Sequence, residues 1–252
     1  MWPAGKSLGF VPTLGALHEG HVSLVHAAQA ECDICLPYIF LNPKQFGEDE
    51  DLDKYPNTLQ DDLEKLEALG ITHVYVPDIQ EIYPDNFQTT VSVSDITKLL
   101  DGEHRTHFFN AVTTIVCKML LQALPDRAYF GEKDFQQLQA IKRMVTDLNI
   151  PVEIIGVPTM RDENGFALSS RNTYLSEDDY KIAIQLPYIM NQMACGKLNE
   201  QDACHQLLEA GFDKVDYCTA RNSKTFEPEN PNRILAAVWL NGTRLIDNIA
   251  MK

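Results

Sequence analysis

No stretch of this 252-residue chain is long and apolar enough to span a bilayer, and the opening Met1-Trp2-Pro3-Ala4-Gly5-Lys6 lacks the basic-then-apolar layout of a signal peptide. Cysteine is scarce and irregularly spaced: Cys32, Cys35, Cys117, Cys195, Cys204 and Cys218 do not make a disulfide framework, which points to a reducing cytoplasm. Cys32-x-x-Cys35 has no second pair or histidine at zinc spacing, and beside the apolar run 34–41 it reads as buried thiols in a strand. Positive charge is short as well. Lys and Arg number 21 against 36 Asp and Glu, a formal net charge of −15, which argues against a chain built to grip nucleic acid or an anionic membrane. Internal repeats, low-complexity linkers and the G-x-G-x-x-G dinucleotide fingerprint are all missing. What is present is ordinary globular composition, with 44% hydrophobic residues, in a chain long enough for one large domain or two unequal ones.

The patterning predicts an α/β fold. Strands are expected over 7–12, 34–41, 72–77, 89–93, 128–130 and 152–157, alternating with helices over 21–30, 58–69, 109–124 and 134–149. Such alternation implies β-α-β crossovers and a parallel, Rossmann-like sheet. In the 58–69 helix Leu59, Leu63, Leu66 and Leu69 share a face, and Gly70 is a natural stop. The pattern changes after Thr159. Ser176-x-x-Asp179 has capping-box form and opens a helix to about Cys195; a second helix fits 199–210. Strands then follow over 214–220, 234–240 and 243–249, with Asn241-Gly242 as a type I′ hairpin signal. The expected division is a nucleotide-binding domain over 1–159 and a smaller α+β domain over 160–252. The acidic run 48–53 reads as a solvated loop.

Ligands in open parallel sheets bind beyond the carboxyl ends of the strands. The first strand runs into Pro12-Thr13-Leu14-Gly15-Ala16-Leu17-His18-Glu19-Gly20-His21. Two glycines, two imidazoles and a helix N-terminus make this junction an expected anion site, with exposed N–H groups and protonated histidines meeting phosphate. Other readings stay open on spacing alone. The segment mimics the start of a P-loop, but His21 and Val22 replace the Lys and Ser/Thr; a zinc site lacks a third ligand; and the histidines fit a plain surface loop.

This decapeptide resembles the nucleotide-binding signature of the pantothenate synthetase family, adenylate-forming enzymes with an HxGH-type motif; Leu14 stands where that family usually has Met. Further segments match in order: Asn42-Pro43-Lys44-Gln45-Phe46, Asp53-Lys54-Tyr55-Pro56, Phe130-Gly131-Glu132-Lys133-Asp134-Phe135-Gln136-Gln137-Leu138, Gly156-Val157-Pro158-Thr159-Met160-Arg161, Leu168-Ser169-Ser170-Arg171-Asn172 and Thr243-Arg244-Leu245-Ile246-Asp247-Asn248. The resemblance implies ATP-dependent condensation of pantoate with β-alanine through pantoyl adenylate, releasing pyrophosphate and AMP, by a homodimer; the cysteine usage and acidic balance add the expectation of a cytoplasmic enzyme with no nucleic-acid or membrane partner. It also implies site roles. His18, His21 and Lys133 would be catalytic. Leu14, Gly15, Ala16, Leu17, His18, Glu19, Gly20, His21, Gly131, Glu132, Lys133, Asp134, Met160, Leu168, Ser169, Ser170 and Arg171 would bind ATP, the last three from a lid. Gln45 and Gln137 would hold pantoate and β-alanine. Asp61 and Asp62 align with aspartates implicated in Mg2+ binding, although a neighbouring ligand position carries Lys65. Asp134 also reads as a helix N-cap. One departure concerns an Arg-Pro-x-His-Phe pattern: Arg105 matches, but Phe108 occupies the histidine position, with His104 and His107 nearby. The rival readings are another adenylate-former and an inactive homologue.

Overall fold

The computed structural model describes residues 5–47 and 50–251. Four strands, β1 (Leu8–Thr13), β2 (Ile34–Ile39), β3 (Arg127–Gly131) and β4 (Glu153–Val157), form one all-parallel sheet in the order β2-β1-β3-β4. Helices α1 (Glu19–Glu31) and α2 (Leu59–Ala68) belong to this half, as do the four-residue α3 (Ile79–Ile82) and α4 (Asp101–His104), then α5 (Phe108–Ala123) and α6 (Phe135–Asp147). Alternate strand residues feed two cores. Val11, Cys35, Ile39 and Tyr129 meet Leu24, Val25, Ala28 and Leu66 of α1 and α2. Phe10, Leu36, Tyr38, Ala128 and Phe130 meet the α5 and α6 residues Val112, Val116, Leu138 and Ile141 on the other face. Burial on both faces is why these strands read as continuous apolar runs. Gly9 permits the α1 contact, since a Cβ there would lie 3.1 Å from Ala28 Cβ and from Cys32 Sγ.

The C-terminal part holds α7 (Glu177–Ala183), α8 (Gln185–Ala194) and α9 (Glu200–Ala210), then an antiparallel sheet of β5 (Lys214–Arg221), β6 (Arg233–Leu240) and β7 (Thr243–Ala250) in that order. Leu186, Met190, Leu207, Ile234 and Val238 fill its own core. Asn241 and Gly242 both take positive φ, 47° and 75°, as a type I′ turn requires. The Ser176–Asp179 capping box is present. All six cysteines are free; Cys35 is buried in β2 and Cys32 is half-buried at the end of α1. No helix among the described residues is long and apolar enough to cross a membrane.

Four sequence expectations need correction. The 72–77 strand reduces to one bridge, Tyr38 with Tyr75. Tyr75 N–H donates to Pro37 O and Ile39 N–H to Tyr75 O, both at 2.9 Å. The next rungs would need N–H groups from Pro37 and Pro77, which proline lacks. The 89–93 segment forms no strand because side chains of α5 serve its backbone: Val91 N–H donates to Thr114 Oγ1 at 2.9 Å and Thr113 Oγ1 to Val91 O at 2.6 Å. The 176–195 helix breaks at Ile184, because Pro187 removes a donor and crowds the preceding turn. Finally, the acidic run is not simply solvated. Glu50 pairs with Arg105 and Asp51 with Arg171, each through two nitrogens; Glu48 and Asp49 lie outside the described residues.

Candidate active site

Strand order reverses at β1, which has β2 on one side and β3 on the other. The carboxyl ends of β1 and β3 open into a cleft of about 1210 Å³, closed on its far side by the C-terminal residues Leu168–Arg171, Trp239 and Asn241–Ile246. Of the expected site residues, Leu14, His18, Gly20, His21, Gln45, Gly131, Lys133, Asp134, Gln137, Met160, Leu168, Ser169, Ser170 and Arg171 line it. Gly15, Ala16, Leu17, Glu19, Glu132, Asp61 and Asp62 are not on its wall.

The β1–α1 loop explains the division. Gly15 and Ala16 both have positive φ, 86° and 51°, turning the chain sharply after Thr13. The amides this exposes face away from the cleft. Ala16 N–H and Leu17 N–H donate to the two oxygens of Asp62 at 2.8 and 2.7 Å. The expectation of an anion cradled by loop amides is therefore corrected: a buried carboxylate already occupies those donors.

The histidines take over. His18 caps α1, its Nδ1 accepting from Gly20 N–H at 3.0 Å, and His21 Nδ1 accepts from His18 N–H at 3.3 Å. The pair forms a capping box built from imidazoles. An Nδ1 that accepts an amide proton carries none itself, so each neutral ring holds its proton on Nε2. Gly20 makes the arrangement possible, because a Cβ there would sit 2.7 Å from His18 Cε1. Burial, reinforced by Lys133 and Lys65 against the opposing Asp134, lowers His18 to about 4. Burial, then His18, Lys133 and Lys65, lowers His21 to about 3. The sequence predicts protonated histidines; burial and the accepted amide bonds instead favour neutral rings protonated on Nε2, and both residues line the cleft.

Lys133 follows β3 in a single 3-10 turn, Glu132–Asp134, and has no ion-pair partner among the described residues. Asn248 of β7 holds this turn: its Nδ2 donates to Glu132 O at 2.8 Å and Lys133 O at 2.9 Å. Asp134 makes no side-chain cap to α6, contrary to the capping expectation, and lines the cleft. One turn along, Gln137 faces the cleft while Gln136 is buried, bonded to Ile96 O, Leu99 O and Asp101 N–H. Gln45 lies beyond β2, where Asn42 Nδ2 donates to its Oε1 at 3.3 Å, and its amide NH2 makes no hydrogen bond to the described residues. Asn42 is fully buried and fixed by Tyr83 OH at 2.9 Å.

Arg171 and Arg105 are occupied. Arg171 forks onto Asp51 with both contacts at 2.8 Å, and against the raising effect of burial it holds the Asp51 carboxyl below its ordinary range. Ser169 Oγ accepts from Arg171 N–H, and Ser170 Oγ donates to Ala16 O at 3.0 Å, joining the two loops. Arg105 forks onto Glu50 and stacks 3.7 Å above the Phe108 ring. Phe108 thus fills the expected histidine position as a buried platform; His107 lies against Gly47 and His104 near Asp216.

The proposed Mg2+ aspartates do not fit a metal. Asp61 is exposed, and Asp62 is 1% exposed with its oxygens engaged by two amides and Thr58 Oγ1. Among the described residues no group of three His, Cys, Asp or Glu could hold an ion. Sequence reasoning missed Asn42 and Asn248 as orienting groups. Both lie inside matched motifs, but a short amide gives no signal of what it touches. The Arg171–Asp51 pairing spans 120 residues and had none either.

The family model described as "Pantoate-beta-alanine ligase" matches residues 2–250. The pantothenate synthetase of Roseobacter denitrificans is 45% identical over 98% of this chain and 90% of its own length. That of Ruegeria pomeroyi is 46% identical, over 98% and 91%. Among solved structures, pantothenate synthetase from Thermus thermophilus has a TM-score of 0.90 at 38% identity, covering 97% of this chain and 93% of that one. The Francisella tularensis pantoate–β-alanine ligase, complexed with β,γ-ATP and β-alanine, also has a TM-score of 0.90, at 36% identity over 99% and 91%. With the match running almost end to end in both sequence and fold, the chain belongs to the pantoate–β-alanine ligase family.

Proposed function

We propose that the cleft between the parallel sheet and the C-terminal part carries out the family's two steps with the residues described above. The chain is a ligase joining pantoate to β-alanine. In the first step a pantoate carboxylate oxygen attacks the α-phosphorus of ATP, the bond to the β-phosphate oxygen breaks, and pyrophosphate leaves. His18 and His21 donate Nε2–H bonds to phosphate oxygens, and Lys133 supplies the positive charge. A neutral imidazole is a poor acid, so the histidines stabilise the leaving charge by hydrogen bonding rather than by giving up a proton. Gln45 and Gln137 hold pantoate through amide groups that add no charge. In the second step the free amine of β-alanine attacks the acyl carbon and AMP departs with the acyl–oxygen electron pair. The amine's proton passes to solvent or phosphate. No covalent enzyme intermediate is required, so positioning and electrostatics carry the catalysis.

We take Mg2+ to arrive with ATP, since the Asp61–Asp62 pair does not suit it, and we route no step through it. We divide the chain at Thr159, with residues 160–252 acting as a lid whose Ser169–Arg171 loop meets the phosphates, and we place the enzyme in the cytoplasm as a homodimer. The observation that carries this reading is the double imidazole cap, whose two rings line the cleft at the switch point together with Lys133, which has no ion-pair partner among the described residues. Pantoate-dependent ATP–pyrophosphate exchange without β-alanine is the test. Exchange is expected; a folded protein that shows none with pantoate overturns the reading.

A further inference from the structure

We infer that Asp62 and Lys65 clamp the peptide leading into His18, and that Lys65 is a positioning residue for the nucleotide step; this functional half rests on the ligase reading above. The loop presents a conformational problem. Gly15 and Ala16 are left-handed in succession, and Ala16 has a Cβ that disfavours it. Something outside the loop must hold it there. Every backbone polar group of Ala16 and Leu17 is tied to a side chain remote in sequence: both N–H groups to Asp62, Leu17 O to Lys65 Nζ at 2.9 Å, and Ala16 O to Ser170 Oγ at 3.0 Å. Three of the four come from α2. Residues 62 and 65 are one turn apart and share a helix face, so a single rigid element grips Leu17 by its N–H and its C=O at once. Thr58 Oγ1, at 3.1 Å, fixes the carboxylate from the turn before.

Asp62 is buried, whereas Lys65 is an exposed residue with no ion pair among the described residues. Its ammonium exchanges water for a backbone carbonyl. His18 follows Leu17 directly, and His18 N–H is the donor that orients the His21 ring. The grip on Leu17 therefore reaches both imidazoles through one peptide. In this chain the α2 position that the family resemblance linked to metal binding instead works mechanically. Lys65 also adds to the positive field that, after burial and with Lys133, keeps both rings neutral.

The test uses the full chain with Lys65→Met, which keeps the apolar stem, and Lys65→Arg, which keeps a donor. Amide hydrogen exchange over the peptide containing residues 14–22 reads the clamp without reference to activity. In Lys65→Met it is expected to exchange at least about tenfold faster than wild type, with α2 itself and the melting temperature little changed and with Lys65→Arg close to wild type. Unchanged protection in Lys65→Met overturns the clamp. In pantoate-dependent exchange, Lys65→Met is expected to lose about tenfold in kcat, with Lys65→Arg restoring it and excess Mg2+ failing to. Faster amide exchange with an unaltered kcat overturns the positioning role, and rescue by Mg2+ overturns it in favour of a metal site. If wild type shows no pantoate-dependent exchange, the ligase reading and with it the positioning role fall, and the amide measurement still decides the clamp.

Discussion

Gly20→Ala separates the geometry of the site from the stability of the fold. The added Cβ would lie 2.7 Å from His18 Cε1 and 2.9 Å from its Nδ1. Ordinary carbon contacts begin near ~3.5 Å, so the ring must retreat by roughly 0.7 Å or more. That movement breaks the 3.0 Å bond from Gly20 N–H to Nδ1, at a cost of about 1 kcal/mol. Alanine in place of glycine inside a helix returns up to about 1 kcal/mol, so the net change in stability is small. A chain of this size should shift its melting temperature by no more than about 3 °C. Catalysis is affected differently. Misplacement of a positioned group on the scale of about 1 Å costs about 100-fold, and this is the expected loss in kcat/KM for pantoate-dependent exchange. The double variant sharpens the test: in a His18→Ala background there is no ring to displace, so Gly20→Ala should add almost nothing. A Gly20→Ala enzyme within about threefold of wild type, or fully additive losses, refutes the imidazole cap as the determinant of the site.

Three further outcomes follow from the same structure. Because His18 and His21 titrate below their ordinary 6.5, at about 4 and about 3, the unfolded chain binds protons that the folded one does not as pH drops through that interval. Their contribution to stability is thus complete above pH 6.5 and is lost as pH falls toward 4; the unfolding free energy of wild type, from urea titrations, should drop from pH 7 to 4.5 by at least about 1 kcal/mol more than that of a His18→Asn/His21→Asn variant, and parallel curves contradict it. Asp51→Asn removes the carboxylate that occupies Arg171, so KM for ATP should fall by about threefold; a raised KM would show that the ion pair itself shapes the phosphate site. Phe108→His places a polar ring under Arg105 in a buried position, and chemical denaturation should record a loss of about 1–2 kcal/mol, an unchanged midpoint being the contrary result.

Most of the fold was legible because its signals are local. The 34–41 run, the Ser176 box and the Asn241-Gly242 turn each carry their own explanation, and each appears in the structure. The 72–77 strand was misread because its limit lies in two prolines, one on each strand, that matter only once register is known. The 89–93 segment was misread because threonines of α5, more than twenty residues later, satisfy its backbone. The site divides the same way. Motif order brought together many of the residues that line the cleft, but which members of each motif face it, their charge state and their partners depend on three-dimensional packing. Sequence could offer His18 and His21 as cations; only the accepted amide bonds and burial make them neutral. The family resemblance offered Asp62 as a metal ligand, whereas the two amides that claim it lie 45 and 46 residues away and give no local signal.

In the proposed reaction two neutral imidazoles, their protons on Nε2, meet the phosphates. Long-range proton–nitrogen NMR of the histidine side chains at about pH 7, assigned with His18→Asn and His21→Asn, reads this directly. Both rings are expected to show an unprotonated Nδ1 and a protonated Nε2, unchanged on lowering the pH to about 5.5. An imidazolium at either position, or a proton on Nδ1, contradicts it.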